Sequence, residues 1–196
     1  MAGEHLASKE HRRQVPFAGA LLITGTVGVG KTSVAEVIGD LLSEAHVPNA
    51  VIDVDWLRRA WPSPPGDTFN LSMAMRNLRS ISSNYFNAGI RRLVLASVLE
   101  TQDDRDRHQE ALGVPLAVCR LKVDLPIVRA RLARRHEAEE ADLRWHLDRS
   151  GELDAILDEA SVEDCCVDAT ESTPSEAATK ILAAVGWAEG SSTRST

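Results

Sequence analysis

Along this chain the apolar residues alternate between short unbroken runs and longer stretches in which they return at helical spacing. The runs Ala20-Leu-Leu-Ile23, Ala50 to Asp55, Leu93 to Ser97, Leu116 to Val123 and Cys165 to Asp168 read as strands. After the first, Val34, Val37, Ile38, Leu41 and Leu42 fall at i, i+3, i+4, i+7 and i+8, one stripe of a helix. Leu71 to Ala88 reads as mainly helical, Thr101 to Leu112 as a polar surface helix, and Leu125 to Arg135 and Asp142 to Ala160 as two further helices. A closing helix is signposted by Thr173-Pro-Ser-Glu176, which combines an N-cap, a proline at the first helical position and a capping-box glutamate. Gly186 is its stop. Strands alternating with helices predict an α/β fold with a parallel sheet and helices on both faces.

The rest of the chain supports one domain. No repeat or interdomain linker interrupts residues 16–187; residues 1–15 form a polar leader and 188–196 a Ser/Thr/Gly tail, both expected to be disordered. With 196 residues, 43% hydrophobic and 26% charged, the chain can bury one sizeable core. Its net charge of −7 and lack of a long basic run argue against nucleic acid and for a small-molecule partner, in a monomer or homodimer. No apolar stretch approaches the roughly 18 residues of a membrane span, and charged residues near the N-terminus do not suit a signal peptide, so a cytoplasmic protein with no membrane contact is expected. Cys119, Cys165 and Cys166 lie in strand-like runs without metal-ligand spacing and read as reduced core thiols.

The chemistry begins between the first strand and the first helix. Gly25-Thr26-Val27-Gly28-Val29-Gly30-Lys31-Thr32 matches G-x-x-x-x-G-K-[ST] in full, with Ser33 continuing into the helix. Glycines there let successive N–H groups turn inward around phosphate oxygens. Lys31 is placed to reach the β- and γ-phosphates of ATP and Thr32 to ligate Mg²⁺.

In a parallel sheet, ligands gather at the carboxyl ends of the strands. Asp53 and Asp55 are expected there, two apart on one strand and so on one side of it, facing the γ-phosphate. Asp55 is read as the carboxylate that takes the proton of an attacking hydroxyl, or else as an N-cap for Trp56 to Arg59; Asp53 as an acceptor contact, a partner of a basic group or an indirect Mg²⁺ contact. Arg58, Arg76, Asn77 and Arg79, in a segment that also holds Trp61, Phe69 and Tyr85, are candidates for binding the acceptor. Arg129, Arg131, Arg134 and Arg135 precede an acidic stretch, and residues 134–145 read as a lid. Arg131 and Arg135 share a helix face and are candidates for stabilising charge on the transferring group, unless the neighbouring glutamates make them a salt-bridged surface.

The phosphate loop, the Ile52-Asp-Val-Asp-Trp-Leu57 element and the helix from Asp124 through Arg131 to Arg135 together resemble the P-loop small-molecule kinases, among them adenylylsulfate kinases, gluconate kinases and chloramphenicol phosphotransferases. The resemblance implies a five-stranded parallel sheet of order 2-3-1-4-5, ATP on the first-strand loop, an acceptor beside Asp55 and an arginine-bearing lid. The activity implied is transfer of the γ-phosphoryl group to a small-molecule hydroxyl. A nucleoside or nucleotide kinase and a non-catalytic ATP-binding regulator are the alternatives. Two departures stand out: Val54 replaces the glycine of the Asp-Gly-Asp element of adenylylsulfate kinases, and Leu93 to Ser97 ends without the Walker B carboxylate.

Overall fold

The computed structural model describes residues 18–135 and 140–187. The leader and the tail expected from the sequence, and residues 136–139 of the expected lid, lie outside the described residues. Strands β1 (Gly19–Thr24), β2 (Asn49–Asp53), β3 (Arg92–Ala96), β4 (Leu116–Lys122) and β5 (Cys165–Asp168) form one parallel sheet in the order β2-β3-β1-β4-β5. They are joined by helices α1 (Lys31–Glu44), α2 (Val54–Leu57), α3 (Leu71–Asn87), α4 (Gln102–Leu112), α5 (Leu125–Arg135), α6 (Glu140–Ala160) and α7 (Pro174–Ala184).

Side-chain alternation along the strands builds three layers. Leu21 and Ile23 of β1, with Val94, Cys119 and Leu121, face a core completed by Ile38 of α1, Val128 of α5 and Ile181 of α7. Ala20 and Leu22, with Leu93, Leu95 and Val118, face the opposite core, closed by Leu78 of α3 and Leu112 of α4. The β1 strand is buried from end to end, as a central parallel strand must be when helices cover both faces. The order β2-β3-β1 opens the phosphate loop towards β2 through β3, so groups ending β2 can meet groups starting α1.

The closing helix forms as its cap predicts: Thr173 Oγ1 accepts from Glu176 N at 3.3 Å, and the Glu176 carboxylate accepts from Thr173 N at 2.8 Å. One boundary departs from expectation. The second strand stops at Asp53, and Val54 and Asp55 already belong to α2. Asp53 is the N-cap, its carboxylate accepting from Asp55 N at 3.0 Å, so the two aspartates are not a same-side pair on a strand. A short polar side chain that can bond the backbone two residues ahead favours a helix start over a longer strand. No helix among the described residues is long and apolar enough to cross a membrane.

Candidate functional site

The loop between β1 and α1 owes its form to glycine at two positions. Gly25 has φ +146°, and a Cβ there would stand 2.5 Å from the Leu121 carbonyl oxygen of β4. Gly30 has φ +104° with nothing within 4 Å of the Cβ position, so the need there is conformational and the space beside it is open. Other segments brace the loop from outside. Thr26 Oγ1 donates to the Ser150 carbonyl of α6 at 2.6 Å, a buried bond. Arg131 of α5 donates to the Val29 carbonyl at 3.1 Å. The loop is thereby fixed before any ligand arrives, which lowers the cost of ordering it around phosphate.

Lys31 opens α1, and its ammonium donates to the Gly25 and Thr26 carbonyls at 2.9 and 3.0 Å. Burial lowers its pKa to about 8, against the opposing pull of first Asp55 and then Asp53. Both carboxylates therefore act on the lysine despite lying on another strand–helix junction. Thr32 Oγ1 donates to Asp53 Oδ2 at 2.8 Å. This hydroxyl and carboxylate are hard oxygen donors of the kind Mg²⁺ takes, and a phosphate-bound Mg²⁺ needs few more from the protein. No cluster of three or more His, Cys, Asp or Glu that could hold a metal occurs among the described residues, so further ligands would come from phosphate and water. The residues present fit the cation.

Asp55 stands in the first turn of α2 with a side chain 56% exposed, paired with Arg58 at 2.5 Å. The backbone of this element is held from α3: Asn77 Nδ2 donates to the Leu57 carbonyl at 2.8 Å, and Asn70 Nδ2 to the Arg58 and Ala60 carbonyls at 2.8 and 3.1 Å. Of the residues expected to bind the acceptor, Asp53 and Arg58 converge on Asp55 and Lys31. Asn77 has its amide committed to the backbone of α2, Arg76 is exposed on α3, and Arg79 is drawn to Glu110 of α4 at 2.8 Å. Spacing on a helix states which residues share a face but not which neighbouring helix supplies a counter-charge.

On the lid side, Arg131 contacts the phosphate loop itself, while Arg134 and Arg135 are exposed at the end of α5. Trp145 of α6 is 58% exposed and meets the His146 ring edge-on at 4.8 Å. Glu100, beyond β3, pairs with Arg149 of α6 at 2.5 Å. The neighbouring Thr101 and Asp104 form the capping box that starts α4.

Beyond β3, Ser97 stands where a Walker B carboxylate was looked for. Its hydroxyl lies 3.3 Å from His108 Nε2, and His108 Nδ1 lies 2.7 Å from the Asp104 carbonyl. A carbonyl only accepts, so Nδ1 carries hydrogen; burial lowers the His108 pKa and keeps the ring neutral, leaving Nε2 to accept from Ser97. Two structural residues were missed from sequence. Ser150 offers only a carbonyl and gives no signal at all. Arg120 of β4 is a buried cation bound to Asp154 and Asp158 of α6 at 2.9 and 2.8 Å, and an arginine inside an apolar strand was a readable hint. It seats α6, which in turn seats Thr26.

No family model and no curated protein matches the sequence. Solved structures do match. The tunicamycin resistance protein of Deinococcus radiodurans has a TM-score of 0.64 at 19% identity, covering 87% of this chain and 97% of that one. Shikimate kinase from Acinetobacter baumannii in complex with shikimate has a TM-score of 0.62 at 17% identity, covering 87% and 94%. The Mycobacterium tuberculosis APS kinase in complex with AMPPNP and APS has a TM-score of 0.59 at 20% identity, covering 87% and 99%. With its sheet order and loop, the chain has the fold of the P-loop small-molecule kinases.

Proposed function

We propose that the protein is an ATP-dependent phosphotransferase that moves the γ-phosphoryl group to a hydroxyl of a small-molecule acceptor, with Mg²⁺. The observation that carries this reading is the meeting of two elements. Thr32 on the phosphate loop bonds Asp53 at the end of β2, and Asp55 follows on the next turn, close enough to act on Lys31. In the reaction the acceptor oxygen bonds to the γ-phosphorus as its bond to the β-γ bridging oxygen breaks, and ADP leaves. Asp55 orients the acceptor hydroxyl and takes its proton. Lys31 and the backbone N–H groups of the phosphate loop hold the triphosphate and offset its charge. Thr32 and Asp53 would hold Mg²⁺, which when bound would neutralise charge at the phosphates. Arg131 acts by fixing the loop through Val29.

The pairing of Arg58 with Asp55 and of Arg79 with Glu110 speaks against a nucleotide acceptor, whose phosphate would want those arginines free. A nucleotide-binding regulator is favoured by one observation, the absence of a carboxylate after β3, where Ser97 is bonded to His108. The test is ADP release from Mg²⁺-ATP across a panel holding gluconate, shikimate, adenylylsulfate, tunicamycin, phenicols, nucleosides and nucleotides. Stimulation by one acceptor class supports the kinase. ATP binding without stimulation by any of them supports the regulator.

A further inference from the structure

Three contacts close a circuit around the start of the phosphate loop, and one of them is an ion pair with no part in the phosphoryl transfer described above. From the loop, Thr26 Oγ1 donates to the Ser150 carbonyl of α6 at 2.6 Å, and both residues are buried. Arg149, the residue before Ser150, reaches Glu100 beyond β3 at 2.5 Å. Glu100 stands on backbone that is itself tied down. Leu99 N donates to Thr24 Oγ1 of β1 at 3.2 Å, and Glu100 N donates to the Asp104 carboxylate at 3.2 Å. Thr24 lies two residues before Thr26, which completes the circuit.

The point of α6 that meets the loop needs fixing from outside. Ser150 Oγ donates back to the Leu147 carbonyl at 2.7 Å and Gly151 follows, the combination at which helices bend most easily. Arg120 holds α6 at Asp154 and Asp158, beyond Ser150 on the side of β5. Arg149 holds it at Ser150 itself. Its side chain is 24% exposed and that of Glu100 37%, so the pair is better shielded than one in open water. Glu152, the second partner of Arg149 at 2.9 Å, is 62% exposed and contributes less.

We propose that Arg149 and Glu100 are a positioning pair for the phosphate loop: their ion pair sets the place of Ser150, whose carbonyl sets Thr26, so a triphosphate meets a loop already formed. The proposal rests on the phosphotransferase reading above for the ligand of the loop and adds the residues that prepare it. With its guanidinium held by two carboxylates, Arg149 acts through Thr26 and not by touching phosphate. Preparing the loop in advance lowers the cost of ordering it on binding.

The test is calorimetric titration of the full chain with AMPPNP in Mg²⁺, together with amide hydrogen exchange over residues 25–30 of the nucleotide-free protein. Arg149→Met and Glu100→Gln should each weaken AMPPNP about five-fold or more and speed exchange in the loop. Arg149→Lys, which keeps a cation for Glu100, should stay within about two-fold of the wild type. Thr26→Val should weaken AMPPNP by a factor like that of Arg149→Met, and the double variant should bind no more than about two-fold weaker than Thr26→Val alone, because the path is already broken. A general loosening of the fold would multiply the two losses instead. Where Arg149→Met does not fold, Glu100→Gln takes its place beside Thr26→Val. Single variants that bind AMPPNP as the wild type does overturn the proposal, as do losses that multiply in the double variant or an Arg149→Lys protein as weak as Arg149→Met. If the wild-type protein binds no AMPPNP, the phosphotransferase reading fails and exchange alone decides the pair: faster exchange of residues 25–30 in Glu100→Gln upholds it, and unchanged exchange overturns it.

Discussion

The phosphate loop and the acceptor side meet at Thr32 and Asp53 but are held by different means. The loop is set by backbone conformation and close approach: a Cβ on Gly25 would meet Leu121, one on Gly28 would come within 2.8 Å of Leu132, and Thr26 and Val29 are bonded to α6 and α5. The acceptor side is set by long-range amides, Asn70 and Asn77 reaching back from α3 to the carbonyls around α2. The first kind of support tolerates almost no change because packing and φ both forbid it. The second leaves side chains free to vary around a fixed backbone, as the proposed division between a common phosphoryl donor and a particular acceptor requires.

Substitutions that strike one region and spare the other sharpen this contrast. The largest effect expected is at Lys31: Lys31→Ala should cost about 100-fold or more in kcat/KM for ATP, measured by steady-state kinetics, with the acceptor's own binding little changed. Arg120→Ala comes next. It strands Asp154, loosens α6 and should lower stability by about 3 kcal/mol, read from urea unfolding, with weakened nucleotide binding because Ser150 no longer steadies Thr26. Asn70→Ala removes a buried amide that serves two carbonyls and should cost about 2 kcal/mol, raising KM for the acceptor while the ATP affinity stays the same. If Asn70→Ala weakened ATP as much as acceptor, the two regions would be one unit and the contrast would fail.

A smaller effect comes from pH. Burial puts the Lys31 pKa at about 8 in the free protein. Below that pH the ammonium is charged and attracts the triphosphate; above it the proton is lost. Bound triphosphate raises the lysine's pKa, so binding takes up a proton there. Affinity for ATP should hold steady from pH 6.5 to 7.5 and fall at most about ten-fold per unit above pH 8, and the fall should vanish in Lys31→Met. Thr173→Ala, remote from both regions, should cost only about 1 kcal/mol with kinetic constants unaltered.

The phosphate end was legible in the sequence because its information is local. A strand, a glycine-spaced loop and a helical stripe occupy Ala20 to Leu42 without a break, and the sheet order followed from the resemblance that this motif opens. The acceptor end was legible only in part. Asp53 and Asp55 were singled out, but the period-two pattern of Ala50 to Asp55 extended the strand past Asp53, where a side chain bonding forward to Asp55 N turns the chain into α2 instead. Arg79 looked free because nothing near it in the chain is its partner; Glu110 is on another helix. The bond from Thr26 to Ser150 spans 124 residues and uses a main-chain carbonyl, so no residue type announces it.

The central claim is that one carboxylate on α2, Asp55, serves transfer while the loop, with Asp53 beside Thr32, serves the nucleotide. Single-turnover transfer from Mg²⁺-ATP, followed by ³¹P detection of the phosphorylated acceptor, tests it in the wild-type protein and Asp55→Asn. The account predicts that AMPPNP still binds at pH 7 while the transfer rate falls by about 100-fold or more. Transfer at the wild-type rate in Asp55→Asn, or an equal loss of nucleotide binding, would contradict it.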